Sequence, residues 1–136
     1  MFNKRLLICT LVVFVFMFFY EFVFHGVLLR ADYEPLTAIM RSEEASQGLM
    51  HFLILGLLVM SWVLCVIFER GYENKGLAEG ARFGLILGIL MSAPSLIFFA
   101  VMQFPGDLIV KWIIGGLLEL VVAGMLLATV YGKIKA

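Results

Sequence analysis

Four long apolar runs dominate the chain, and most polar residues lie between them. The runs cover residues 6–29, 49–68, 82–103 and 108–131. Each has about 20 residues or more, the length that an α-helix needs to cross the hydrocarbon core of a bilayer. Backbone polar groups in lipid must be satisfied within their own segment, which favours helices. The pattern predicts an all-α fold, an integral membrane four-helix bundle that forms a single transmembrane domain over residues 1–136.

Composition supports a membrane location and excludes several classes of function. Hydrophobic residues make up 63% of the chain and charged residues 15%, whereas soluble domains are about 45–50% apolar and about 25% charged. The formal net charge is zero, which argues against a nucleic-acid partner. Cys9 and Cys65 lie inside apolar runs without partners at metal-ligand spacing, which argues against a disulfide framework or a zinc site. No cofactor is expected.

The distribution of basic residues predicts the orientation. Cytoplasmic loops of membrane proteins carry an excess of Lys and Arg. The predicted side that holds the chain termini carries Lys4, Arg5, Arg70, Lys75, Arg82, Lys133 and Lys135, and the opposite side carries Arg30, Arg41 and Lys111. This asymmetry predicts that both termini are cytoplasmic.

The longest connection, residues 30–48, lies on the predicted outer side. Pro35 is suited to the first turn of a helix, and Leu36, Ile39 and Met40 would then share one side of it. This spacing predicts a short outer-surface helix between the first two spans, lying on the membrane or capping the bundle.

Two other connections also carry predictions. Glu79 and Arg82 are three positions apart at the entry to the third run, so we expect them to form an ion pair. Pro105 and Gly106 fit the central positions of a type II turn. Such a tight turn would make the third and fourth helices antiparallel neighbours.

Two carboxylates are predicted to lie within the membrane. Glu21 comes nine residues before Arg30, about 13 Å from the outer boundary, and Glu119 comes eleven residues after Leu108, about 16 Å from the same boundary. Intramembrane ionisable residues are costly, so each one is a functional hypothesis. The two carboxylates would meet if the first and fourth helices pack together.

Two histidines are predicted nearer the outer surface. His25 follows Glu21 by four positions and therefore shares its helix face, and His51 begins the second span at a similar level. Together with Glu119, these residues define a predicted polar intramembrane site. Three interpretations remain open: hydrogen bonding between helices, a proton or ion relay, and a metal site formed by Glu21, His25 and His51.

Small residues mark the predicted packing faces of two helices. Residues of this kind let helix backbones approach closely in membranes. In the third helix they recur every four positions, at Gly80, Gly84, Gly88 and Ser92, and in the fourth helix they include Gly115, Gly116 and Gly124. Packing within the bundle and a seam between copies of the chain are both compatible with this pattern.

Several of these features resemble a family of small four-helix bacterial inner-membrane proteins defined by a domain of unknown function. The resemblance covers most of the chain and rests on Glu21 with His25-Gly26, residues 76–84 (GLAEGARFG), Pro94, and residues 112–116 (WIIGG). It implies a bacterial membrane protein with four helices, and it implies no activity.

The sequence favours a protein without enzymatic activity, an oligomer or accessory subunit of a membrane assembly. Its predicted partners are the lipid bilayer and copies of itself or other membrane subunits. The alternative is a proton-coupled small-solute transporter or channel that uses Glu21 and Glu119.

Overall fold

The computed structural model describes residues 3–134, which form an all-α structure. Four of its helices are long and apolar enough to span a membrane, so the chain has the features of a multi-pass membrane protein. These helices are α1 (Lys4–Val23), α2 (Met50–Arg70), α3 (Leu77–Val101) and α4 (Gly106–Lys133), and a π-helical turn, Phe24–Leu28, extends α1. Lys135, one of the basic residues counted above, lies outside the described residues.

The two ends of the bundle are defined by contacts between distant parts of the chain. At the end that we name the terminal end, the Arg5 side chain donates to the carbonyl of Ile134 at 2.7 Å, and Asn3 donates to Glu69 at 2.9 Å. The opposite end, named the loop end, holds connections 29–49 and 102–105. Helices that follow each other in the chain therefore run in opposite directions.

The helices do not contact one another equally. α3 packs mainly on α4, whereas α1 packs on both α2 and α4. The main core lies toward the terminal end, and its members include Cys9, Val13, Met17, Cys65, Phe68, Leu120 and Leu127. A smaller core at the loop end comprises Leu29, Leu36 and Leu108, with aromatic side chains around it. α1 and α4 are therefore the central helices.

The contact between α3 and α4 depends on glycine. A Cβ on Gly84 would lie 2.0 Å from the carbonyl oxygen of Leu120, and one on Gly80 would lie 2.3 Å from that of Gly124. Real Cβ atoms do not approach a backbone oxygen so closely, so the two helix backbones touch here. Gly88 meets Leu117 less closely, at 3.0 Å. The glycine stripe of α3 is thus used inside the chain.

Two residues of the predicted packing faces lie elsewhere. A Cβ on Gly116 would meet no described residue within 4 Å, so its assignment to a packing face stays a prediction, and Gly116 does not pack on another helix within residues 3–134. The reason is geometric, because successive residues of a helix point about 100° apart and Gly115 already occupies the contact. The Ser92 hydroxyl donates to the carbonyl of Gly88 in its own helix at 2.7 Å rather than bonding to another helix.

The connection 29–49 differs in form from the single short helix that was predicted. It contains a short helix, Arg30–Tyr33, a 3-10 turn, Glu34–Leu36, and a second short helix, Glu43–Gln47. Ser42 starts the second helix, since its hydroxyl accepts from the backbone N–H of Ala45. Pro35 lies in the 3-10 turn rather than in the first turn of an α-helix. Of the three apolar residues that were expected to share one side, only Leu36 is buried.

The short connections also differ from prediction. Gly106 is the first residue of α4, whereas a type II turn needs a positive φ at that position. α3 begins at Leu77 rather than at residue 82. The run of apolar residues begins later than the helix does, because the first turn of α3 is polar.

The polar first turn of α3 organises the loop that precedes it. The buried Glu79 carboxylate accepts the backbone N–H groups of Glu73 at 2.6 Å and Lys75 at 2.7 Å. The predicted pairing of Glu79 with Arg82 is therefore wrong, and Arg82 pairs with Glu73 at 2.9 Å. Hydrogen bonds from Lys75 and Arg82 lower the pKa of Glu73. The loop can turn back on Glu79 because Asn74 and Gly76 both have positive φ.

Candidate functional site

Glu119 is the most deeply buried carboxylate of the loop-end half of the bundle. The residue is 5% exposed. The residues one turn away on either side, Gly115 and Ala123, have no side chain or a small one on the same face of α4. The carboxyl group of Glu21, on α1, lies within reach of a side-chain hydrogen bond to Glu119. The structure thus brings together the two carboxylates that the sequence places at similar depth. A hydrogen bond between two carboxyl groups requires a proton on one of them.

The second link joins Glu21 to His25. Nε2 of His25 lies 3.3 Å from Oε2 of Glu21, one helical turn apart, and both side chains are about one-third exposed. His25 belongs to the π-helical turn Phe24–Leu28. Such turns shift the register of the residues that follow, and they are frequent at functional sites. Nδ1 of His25 in turn pairs with the hydroxyl of Tyr33.

Tyr33 continues the chain of polar contacts to the loop end. Its ring stacks on that of His25 with 5.9 Å between centroids, and its hydroxyl accepts from Nε1–H of Trp112 at 2.8 Å. Burial raises the pKa of the Tyr33 phenol, with Glu21 and Asp32 adding to the shift. The phenol therefore keeps its proton and can donate it to Nδ1 of His25, so that Nε2–H of His25 faces Glu21.

These links form one continuous path, which we name the polar chain: Glu119, Glu21, His25, Tyr33 and Trp112. It starts at a buried carboxylate between α1 and α4 and ends in the connection 29–49. Each side chain in the interior of the path can gain or lose a proton, and Trp112 anchors its outer end as a donor. The path has the chemical composition of a proton relay.

Packing between α1 and α4 holds the polar chain in position. The hydroxyl of Tyr20 donates to the carbonyl of Gly115 at 2.8 Å. The ring of Phe24 fills the space beside Gly115, where a Cβ would lie 2.1 Å from it. At the loop end, Lys111 pairs with Asp32 at 2.6 Å and with Asp107 at 3.5 Å. These contacts dock the start of the connection onto α4.

A groove of about 370 Å³ lies beside the polar chain, on the surface between α1 and α4. Its lining includes Tyr20, Phe24, Leu28, Lys111, Ile114 and Leu118. The walls are almost entirely apolar, and the one charged lining residue, Lys111, is already paired with Asp32 and Asp107. The groove therefore presents an apolar surface toward lipid.

Of the four residues of the predicted polar site, His51 lies away from the other three. It is exposed at the start of α2, and its ring contacts Phe52 with 4.3 Å between centroids. The first turns of α2 are exposed on all sides, so they do not bring His51 to α1. Within residues 3–134, no three His, Cys, Asp or Glu side chains are grouped to hold a metal ion. The structure does not assemble the Glu21, His25 and His51 metal site.

Sequence reasoning missed Tyr33 and Trp112. One signal for Trp112 was present, because it precedes Glu119 by seven residues, two helical turns, and so lies on the same face. Tyr33 gave no such signal, since its position depends on the path of an irregular connection. An aromatic residue near a span end is also common at membrane interfaces, whatever its role.

Comparison of the chain with known protein families, with curated proteins and with solved structures found no match. The resemblance described from the sequence therefore stays a prediction, and any functional interpretation depends on the geometry of the site.

Proposed function

We propose that this protein is a proton-coupled transporter or channel for a small solute, in which the carboxyl pair Glu21 and Glu119 takes up and releases a proton. The observation that supports the proposal is the polar chain. It connects the buried Glu119 and the partly exposed Glu21 to the loop end through His25 and Tyr33. Buried carboxylates destabilise a membrane protein unless they are neutralised. A reversible proton on the pair therefore changes the free energy of the packed helices, which is the basis of coupling to movement.

The proposal includes a location and an orientation. We place the protein in a bacterial inner (plasma) membrane with both termini in the cytoplasm, as the excess of basic residues at the terminal end favours. Six described basic residues lie at that end and three at the loop end: Lys4, Arg5, Arg70, Lys75, Arg82 and Lys133 against Arg30, Arg41 and Lys111. The polar chain then opens on the outer side, and the proton enters from there. No enzymatic activity is part of this proposal.

Purified protein in liposomes tests the proposed function. A pH gradient is imposed, and an internal pH dye follows proton movement while alkali salts and then small organic solutes are added in turn. We expect solute-dependent proton movement with the wild type and its loss with Glu21→Gln. His51→Gln is the matched control, because His51 is exposed and outside the polar chain, and it should behave as the wild type. Unchanged proton movement in a correctly folded Glu21→Gln variant would refute the relay.

The second candidate function is an oligomer or accessory subunit of a membrane assembly. One observation favours it: the loop-end half of α3 contacts few of the other described residues, with Ile97 61% and Val101 73% exposed. The glycine stripe that suggested a seam between copies is, however, occupied by α4. The oligomer is therefore the weaker candidate.

Cross-linking in native membranes tests the second candidate. A cysteine introduced at Ile97 should give a specific cross-linked product if this face is an interface, whereas one at Val59, exposed on α2, serves as the control. Equal, low cross-linking at both positions would count against a stable assembly through α3.

A further inference from the structure

The groove between α1 and α4 has a floor and walls of different kinds. The buried Gly115 and the partly buried rings of Tyr20 and Phe24 form the floor. The walls are exposed aliphatic side chains of both helices: Val23, Leu28, Ile114 and Leu118. Both helices are long and apolar enough to span a membrane. The groove therefore opens toward the acyl chains of the bilayer.

The groove runs along the helices from the loop end toward their middle. Leu28 and Lys111 lie at its loop end, and Tyr20 and Leu118 lie at its inner end. At about 1.5 Å per residue, the helix stretches that line it are about 11 Å long. One leaflet contributes half of the hydrocarbon core, about 15 Å. The groove therefore matches most of the length of one acyl chain in the leaflet at the loop end.

Ionised side chains lie at the loop-end mouth of the groove. Nζ of Lys111 lies 2.6 Å from Oδ1 of Asp32 and 3.5 Å from Oδ2 of Asp107. The second distance exceeds that of an ordinary hydrogen bond. The Asp107 side chain is also 67% exposed, so its oxygens can accept from another donor. Lys111 is 43% exposed and has three N–H donors. The mouth thus offers an acceptor and a donor side by side.

The charge of this mouth disfavours an anionic ligand. Lys111 faces two carboxylates, which leaves one negative charge in excess. The segments 29–49 and 102–111 also carry more acidic than basic residues: Asp32, Glu34, Glu43, Glu44 and Asp107 against Arg30, Arg41 and Lys111. Like charges repel at close range. A headgroup that carries both a phosphate and an ammonium is neutral and can meet the donor and the acceptor together.

We propose that the groove binds one acyl chain of a zwitterionic phospholipid with a primary ammonium headgroup, as in phosphatidylethanolamine, whose ammonium bonds Asp107 and whose phosphate bonds Lys111. A primary ammonium has three N–H donors, as a lysine side chain does, whereas the quaternary ammonium of phosphatidylcholine has none. One hydrogen bond to a charged group corresponds to a preference of about tenfold for the ethanolamine lipid. The inference goes beyond the proposed function and does not depend on the proton relay.

Native mass spectrometry of the full chain in detergent tests the lipid site, because it counts both the lipids and the chains in each complex. Delipidated protein is titrated separately with phosphatidylethanolamine, phosphatidylcholine and phosphatidylglycerol that have the same acyl chains. We expect one phosphatidylethanolamine to bind per chain, about tenfold more tightly than phosphatidylcholine. The anionic phosphatidylglycerol should bind no better than phosphatidylcholine.

Two pairs of variants separate the headgroup contact from the groove. Asp107→Asn should bring phosphatidylethanolamine to the affinity of phosphatidylcholine, whereas Glu43→Gln, which neutralises another exposed loop-end carboxylate, should keep the preference. Ile114→Trp fills the groove from its wall and should abolish lipid binding. Leu90→Trp, at an exposed position of α3, should keep it. Circular dichroism identifies variants that fold, and Leu118→Trp, at another exposed wall position, replaces Ile114→Trp if the latter does not.

The other outcomes overturn the proposal. Equal binding of the three lipids would show a lipid shell without selectivity, and tightest binding of phosphatidylglycerol would contradict the charge argument. A preference that persists in Asp107→Asn, or lipid binding that persists in a folded groove variant, would place the lipid elsewhere. Dimers that Ile114→Trp dissociates, without bound lipid in the wild type, would assign the groove to a second copy of the chain.

Discussion

The two ends of the bundle differ in how closely their helices pack. At the terminal end, glycine contacts bring α3 against α4, and Phe68 packs edge-on against Tyr131 and Phe83. The guanidinium of Arg5 lies 4.4 Å from the centre of the Tyr131 ring. At the loop end, the first turns of α2 and the last turns of α3 are largely exposed, and the buried Glu119 of α4 lies beside the partly exposed Glu21 of α1.

This difference separates stability from function. Close packing and capped backbone groups at the terminal end hold the helices in a fixed arrangement. The loop end then tolerates a costly polar chain, because the rest of the bundle supplies the stability. Substitutions at the terminal end should therefore change folding, and substitutions in the polar chain should change proton movement with smaller effects on folding.

The largest expected effect is on the α3–α4 contact. Gly84→Ala puts a Cβ against the carbonyl of Leu120, so the two helices must move apart, at a cost of about 3 kcal/mol. Gly116→Ala is the matched control, because nothing lies within 4 Å of its Cβ, and it should stabilise the helix by about 0.5–1 kcal/mol. Unfolding in a detergent titration measures both, and equal effects would contradict the assigned contact.

Glu79→Ala should have the next largest effect. It removes the acceptor of two backbone N–H groups in the loop between α2 and α3, with an expected loss of about 2 kcal/mol. Glu73→Ala removes only exposed ion pairs and should change the same unfolding transition much less. A larger effect of the Glu73 substitution would show that the ion pairs, rather than the buried cap, hold this loop.

Sequence reasoning predicted the helices well and the detailed site only in part. Spans are predictable because lipid demands about 20 apolar residues, and the pairing of Glu21 with Glu119 followed from their equal depth once α1 packs on α4. Tyr33 was not predictable, since it reaches His25 through an irregular connection. The partner of Glu79 was missed for a similar reason, because the loop path depends on the positive φ of Asn74 and Gly76.

A smaller effect on stability is expected in the polar chain itself. Tyr33→Phe removes the hydroxyl that joins His25 to Trp112, which should cost about 1 kcal/mol while slowing proton movement about 100-fold or more, since positioned proton transfer contributes at least that much. Tyr72→Phe is the matched control, because its hydroxyl donates to Asn74 at the terminal end, away from the polar chain. If both variants move protons equally fast, Tyr33 is not part of a relay.

The smallest expected effect is a shift in a titration. Burial raises the pKa of Tyr33 above its ordinary value of about 10, so the folded state holds this proton more tightly than the unfolded state does. The associated stability is present below the unfolded pKa and is lost as pH rises beyond it toward the folded pKa. The tyrosinate absorbance of the wild type minus that of Tyr33→Phe isolates this group. An ordinary or lowered midpoint would contradict its burial beside His25.

The central claim is that Glu21 and Glu119 share a proton between α1 and α4. Infrared difference spectroscopy tests it most directly, because a protonated carboxyl group has a C=O stretching band that a carboxylate lacks. The account predicts such a band in the wild-type protein at neutral pH, its loss in Glu119→Gln, and its retention in His51→Gln. Absence of the band from the wild type, or its persistence in the folded Glu119→Gln variant, would contradict the shared proton.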